Sequence, residues 1–124
     1  MNKVFNVGLV GCGHISETYF RAQEYFNNIK IIKCADLNIE TANKCAKNYG
    51  IEAVSLDNIY KDQNVEIILN LTIPQAHYAV SEKALNSGKH SYSEKPLCIN
   101  FEDGKKLLDL AKKNNLYLGC APDT

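Results

Sequence analysis

The stretch Val4-Phe5-Asn6-Val7-Gly8-Leu9-Val10-Gly11-Cys12-Gly13-His14-Ile15-Ser16 decides the architecture. Its first seven residues read as a buried strand. Ile15, Tyr19, Ala22 and Phe26 then recur at helical spacing. Gly11-x-Gly13 falls between the two. Glycine there permits a tight turn and lets backbone approach a pyrophosphate, and the helix N-terminus that follows offers N–H groups to the anion. Gly-x-Gly alone is equally compatible with a simple tight turn. Ser16 stands where the usual fingerprint has its third glycine, and Ser is small enough to keep helix and strand close.

Outward from this loop the chain keeps alternating. Residues 29–35 form a second apolar run, and Ala42, Cys45, Ala46 and Tyr49 mark one face of a second helix that ends at Gly50. Residues 51–54 are a short third strand, and residues 57–60 a single turn. Residues 65–71 make a fourth strand. Pro74 opens the next helix, whose buried face is expected to carry Ala76, Val80 and Ala84. Residues 89–93 give a poorer fifth strand. Asn100 caps a last helix striped by Phe101, Leu107, Leu108 and Ala111, and residues 116–119 complete a sixth strand. Six strands alternating with helices imply an α/β, Rossmann-type doubly wound, mostly parallel sheet in the order 3-2-1-4-5-6. In such a sheet ligands bind beyond the carboxyl ends of the strands.

Composition narrows the partners. The 124 residues carry 14 Lys and Arg against 14 Asp and Glu, so the basic excess of a nucleic-acid binder is missing. No apolar run approaches the roughly 18 residues of a membrane span. Gly8 and Gly11 come too early for a signal peptide. Cys12, Cys34, Cys45, Cys98 and Cys120 form no Cys-x-x-Cys pair and lie near no His at zinc-finger spacing. They read as reduced, mostly packed thiols in the cytoplasm, with no metal site.

Three later segments bear on chemistry. Asp36 ends the second strand, 23 residues after Gly13. A carboxylate there can accept from both hydroxyls of an adenosine ribose and repels a 2′-phosphate, which favours NAD over NADP. The alternative is a cap or turn residue ahead of Asn38. Thr72-Ile73-Pro74-Gln75-Ala76-His77 leaves the fourth strand across the switch point from the glycine loop. A lone histidine such as His77 is more often structural than catalytic. Glu94-Lys95-Pro96-Leu97 follows the fifth strand, where a lysine can reach the nicotinamide end of a dinucleotide and donate to a substrate oxygen. It can also be an exposed loop lysine.

Together, Val7-Gly8-Leu9-Val10-Gly11-Cys12-Gly13, Ala35-Asp36, Thr72 to His77, Gly88-Lys89-His90 and Glu94-Lys95-Pro96-Leu97 make the chain resemble the N-terminal domain of the glucose–fructose oxidoreductase / inositol dehydrogenase (Gfo/Idh/MocA) family. The resemblance covers nearly the whole chain. It implies that Gly11, Cys12, Gly13, His14 and Ile15 wrap the pyrophosphate, that Asp36 holds the ribose, and that Thr72, Ile73, Gln75 and His77 line the cofactor channel. Glu94 and Lys95 then flank the nicotinamide, with Lys95 as the catalytic residue. The implied activity is hydride transfer between NAD and a hydroxyl-bearing carbon of a sugar, cyclitol or related diol. The implied partners are a small polyol or sugar-like substrate and, for the full-length protein, further copies of itself.

Two departures accompany the resemblance. Cys120-Ala121-Pro122-Asp123-Thr124 stands where many members carry an Arg or aromatic residue near a Pro. Members also continue into a substrate domain, so residues 1–124 read as the dinucleotide-binding domain, a fragment. A non-catalytic dinucleotide-binding regulatory module is the alternative reading. A methyltransferase-like domain shares the glycine loop and acid, but Glu94-Lys95-Pro96 counts against it.

Overall fold

A computed structural model of the chain, which describes residues 3–121, alternates strands and helices throughout. The elements are β1 (Phe5–Val10), α1 (Ile15–Gln23), β2 (Ile29–Ala35), α2 (Ile39–Tyr49), β3 (Glu52–Ala53), α3 (Leu56–Lys61), β4 (Ile67–Asn70), α4 (Pro74–Asn86), β5 (His90–Ser93), α5 (Phe101–Lys113) and β6 (Leu118–Cys120). The strands form one six-stranded sheet in the order β3-β2-β1-β4-β5-β6. Every pairing is parallel. This is the expected Rossmann-type order.

Local chemistry sets the boundaries. Asn38, Ser55 and Asn100 cap α2, α3 and α5 by accepting from backbone N–H groups three residues on. Pro74 takes the first position of α4, where its missing N–H costs no helical bond. Gly50 ends α2 at φ 67°, the left-handed cap expected there.

Both sheet faces are buried. Val7 and Leu9 of β1 pack with Phe20, Ala42, Cys45 and Ala46 under α1 and α2. Val10 packs on the opposite face with Ile59, Tyr60 and Ala84. Leu85, Leu107 and Ala111 join α4 to α5. Gly8 serves this second face. A Cβ there would meet Ile59 Cγ1 at 2.9 Å, so α3 can sit against β1 only over a glycine.

The helix faces differ in part from the periodic reading. In α1 the core residue is Phe20, stacked on Tyr49 at a centroid distance of 3.8 Å, while Phe26 lies beyond the helix and is exposed. In α5 Phe101 and Leu108 are exposed, and Leu107 and Ala111 alone of the expected stripe are buried. In α4 the buried residues are His77, Ser81, Ala84 and Leu85 rather than Ala76 and Val80. The α4 face is displaced because polar residues occupy it, each engaged by the chemistry described next.

Candidate dinucleotide site

The site begins with register. Ala35 pairs with Val10, Val10 with Asn70, Asn70 with Ser93, and Ser93 with Cys120. The last residues of β2, β1, β4, β5 and β6 therefore lie in one row. The loops after β2, β1, β4 and β5 leave the carboxyl edge from the same level.

The first loop is fixed by contacts that only its residues allow. Gly11 has φ +99°, and its N–H donates to Ala35 O at 2.9 Å. A Cβ there would lie 2.7 Å from the Leu71 carbonyl carbon and oxygen. The loops after β1 and β4 thus touch through a glycine. Cys12 N–H donates to Asp36 Oδ2 at 2.8 Å, and Asn38 N–H donates to Asp36 Oδ1 at 2.8 Å. Ser16 Oγ donates to Gly13 O at 2.6 Å, which holds the loop onto α1. Ser16 is buried, as its place in the fingerprint requires.

Gly13, His14 and Ile15 are exposed above this scaffold. A Cβ on Gly13 would meet no atom within 4 Å, so the loop surface is open at the N-terminus of α1. Cys12 is different, because its side chain is buried and its N–H is bonded to Asp36. Asp36 itself is half-buried. It lines a cavity of about 330 Å³ together with Leu37, Ile39 and Val54.

The second group is organised by Asn70, which is fully buried at the end of β4. Its Nδ2 donates to His77 O and to Ser81 Oγ, both at 3.0 Å. Its Oδ1 accepts from the Thr72 hydroxyl at 2.6 Å and from Thr72 N–H at 3.3 Å. His77 is 1% exposed. Its Nε2 faces Thr72 O at 2.7 Å and its Nδ1 faces Pro96 O. Both partners are backbone carbonyl oxygens, one from each loop. His77 thus lies beneath the two loops and ties them together, while Ile73 and Gln75 are exposed.

The third group follows β5. Glu94 N–H donates to Asn70 O at 3.1 Å, and the Glu94 carboxylate accepts from the Tyr19 hydroxyl. Burial, and then this carboxylate, push the Tyr19 hydroxyl above its ordinary pKa. It remains a donor at neutral pH and links α1 to the β5 loop. Lys95 is exposed at the same edge, before a cis peptide to Pro96. Pro122, Asp123 and Thr124 lie outside the described residues.

The sequence-predicted residues therefore form two clusters, Gly11 to Ile15 with Asp36, and Thr72 to His77 with Glu94 and Lys95. Periodicity placed Tyr19 on a helix face without a role at the site, and it gave none to Asn70 or Ser81. An asparagine closing the apolar run 65–71 was the available signal, because a buried amide must find partners.

A further trio meets below the glycine loop. Cys12, Cys34 of β2 and Cys45 of α2 are all buried, with their sulfurs within 4.8 Å of one another. The neighbouring Cys34 and Cys45 thiols, and then burial, hold the Cys12 thiol well above its usual pKa.

Comparison with known proteins now bears on this edge. Residues 5–121 match the GFO_IDH_MocA family, the oxidoreductase family with an NAD-binding Rossmann fold. The chain belongs to that family. An inositol 2-dehydrogenase/D-chiro-inositol 3-dehydrogenase of Lactiplantibacillus plantarum is 29% identical over 114 residues, covering 89% of this chain and 33% of the relative. A UDP-N-acetylglucosamine 3-dehydrogenase of Acidithiobacillus ferrooxidans is 30% identical over 112 residues, covering 90% and 34%. The crystal structure of biliverdin reductase from Synechocystis sp. PCC 6803, in complex with biliverdin and NADP+, matches with a TM-score of 0.85 at 28% identity, over 93% of this chain and 37% of that one. The chain spans about a third of the length of these relatives.

The Gfo/Idh/MocA domain is thus a nicotinamide-dinucleotide-binding Rossmann domain. Its residues fit that group, with an open loop surface over Gly13 and an acid fixed at the end of β2. Among the described residues no helix is long and apolar enough to cross a membrane.

Proposed function

We propose that this chain is the dinucleotide-binding domain of an NAD-dependent oxidoreductase acting on a hydroxyl-bearing carbon of a sugar, cyclitol or related diol. The observation that carries the reading is the hydrogen bond from Cys12 N–H to Asp36 Oδ2. It places a carboxylate at the end of β2 and fixes its orientation toward the glycine loop. Such a carboxylate accepts from ribose hydroxyls and disfavours a 2′-phosphate. The only arginine of the chain, Arg21, is paired with Glu17 on α1.

When bound, the nicotinamide supplies a hydride acceptor and donor. The protein's own residues do the rest. Gly13, His14 and Ile15 present the helix N-terminus to the pyrophosphate. Asp36 holds the adenosine ribose. Thr72, Ile73 and Gln75 line the channel, and His77 holds its wall in place from beneath. Glu94 and Lys95 stand at the nicotinamide end. There the Lys95 ammonium donates to the substrate oxygen and stabilises the charge that develops as its proton moves. The similarity of the chain to inositol and UDP-sugar dehydrogenases supports the polyol or sugar substrate class. In this reading a further domain supplies the substrate pocket and the contacts between subunits.

Isothermal titration of the chain with NAD(H) and with NADP(H) tests the reading. NAD(H) is expected to bind more tightly. Equal or tighter binding of NADP(H) overturns the cofactor assignment, and binding of neither overturns the whole.

A further inference from the structure

Cys12, Cys34 and Cys45 come from three different elements: the glycine loop, the interior of β2 and the middle of α2. Their sulfurs nevertheless converge within 4.8 Å of one another. A structural role for three small apolar side chains would not need their sulfurs to meet. A zinc-type cation bonds thiolate sulfur at about 2.3 Å, which separates tetrahedral sulfur ligands by about 3.8 Å. The sulfurs already lie within 4.8 Å of one another before any cation arrives, so the trio has only about an ångström at most to close to meet that spacing.

We propose that Cys12, Cys34 and Cys45 form a three-thiolate site for a soft divalent cation of the zinc class, seated beneath the dinucleotide loop. Three features support the assignment. The ligands are all sulfur, the donor set that selects thiophilic over hard cations. The site has an entrance, since Cys12 and Cys45 also line a cavity of about 400 Å³ with Gly13, His14, Lys44 and Tyr49. Loop, strand and helix already hold the three sulfurs together, so binding has little left to order.

The exchange is balanced without a redox partner. The Cys12 thiol donates to Ala35 O and the Cys34 thiol to Ala42 O. On binding, three thiol protons leave to solvent and three sulfur–metal bonds form. Three thiolates with one divalent cation leave a single negative charge. Lys44 and Glu17 both line the cavity that faces it. Cys98 and Cys120 lie apart from the trio and serve as internal controls.

Cadmium ion alone is the probe, added to the purified, reduced chain. The expected result is one equivalent bound, with sulfur-to-cadmium charge-transfer absorption in the ultraviolet. That absorption should persist in the Cys98→Ser/Cys120→Ser double variant and fall at least several-fold in Cys45→Ser. Because Cys45→Ser can disturb packing, a second measurement uses the unmutated chain. Cadmium-edge X-ray absorption of the reduced, unmutated chain should show three sulfur neighbours around the ion, a readout that does not need the buried thiols to be accessible. A signal that disappears with Cys98 and Cys120, or fewer than three sulfur neighbours around the ion, overturns the proposal.

Discussion

Cys12 and Asp36 lie 24 residues apart, yet the backbone N–H of one donates to the carboxylate of the other at 2.8 Å. Asn38 N–H engages the second oxygen. The acid at the end of β2 is therefore held in one orientation before a ligand arrives. A pre-oriented acceptor loses less side-chain freedom on binding, so more of each hydrogen bond appears as affinity.

Asp36→Ala should reduce or reverse the preference for NAD(H) over NADP(H). The substitution removes both the ribose acceptor and the repulsion of a 2′-phosphate. Calorimetric titration of both cofactors against the variant checks this. An unchanged preference would place the selectivity elsewhere in the site.

Gly11→Ala should damage loop and fold together. The backbone there is left-handed, and the new methyl would sit 2.7 Å from the Leu71 carbonyl. The conformational strain alone is about 1–3 kcal/mol, and the steric conflict adds to it. Urea unfolding should show the loss. Gly13→Ala, where the methyl meets open space, should leave stability nearly unchanged and weaken dinucleotide binding.

His77→Ala should cost about 2 kcal/mol or more, because it empties a ring-sized space that is 1% exposed and removes the side chain that bridges the Thr72 and Pro96 carbonyls. The damage should be local as well as global. Amide exchange should quicken in residues 71–75 and 94–97 while β1 and β2 stay protected.

Acid should weaken the fold through Asp62. The Lys33 ammonium, and then Asn64 N–H, hold its carboxyl below the usual carboxylate range. Between the folded and unfolded pKa values the unfolded chain binds the extra proton, so stability rises with pH there. The contribution is complete above about pH 4 and disappears as pH falls through the lower folded value. Melting temperatures from pH 2 to 7 should fall less steeply with acid in Asp62→Asn than in the parent. Parallel curves would show that the pair contributes nothing.

In the proposed oxidoreductase, Lys95→Met should leave NAD affinity within a few-fold. It should lower kcat by about 10²-fold or more, the scale of losing an acid–base group. If NAD binding collapses while kcat holds, Lys95 anchors the cofactor instead.

The strand order was legible because apolar runs and helical stripes alternate through the whole chain, and Gly50, Pro74 and Asn100 mark helix ends by backbone chemistry. Helix faces were less legible. In α4 the inward residues His77 and Ser81 are polar, and a hydrophobic stripe cannot reveal a face that is buried through hydrogen bonds to Asn70 and the loops. In α1, Phe20 rather than Phe26 reaches the core, because the helix ends before Phe26. The glycine loop, Asp36 and Lys95 could be picked out from residue type and position. The thiol trio could not, since separations of 22 and 11 residues match no local ligand pattern and become a cluster only when loop, strand and helix pack.

The row formed by Ala35, Val10, Asn70, Ser93 and Cys120 separates what can drift from what cannot. Each strand end fixes where its own loop begins, so a longer or differently composed loop after one strand leaves the starting points of its neighbours in place. A one-residue slip inside β1 or β4 would do the reverse. It would move a loop's origin by about 3.3 Å and exchange the two buried faces of the strand. Selection for a new cofactor or substrate can therefore act on the exposed parts of the turns, while the pairing of the strands, and the contacts of Gly11, Asp36 and His77 that tie the turns together, are inherited as a unit.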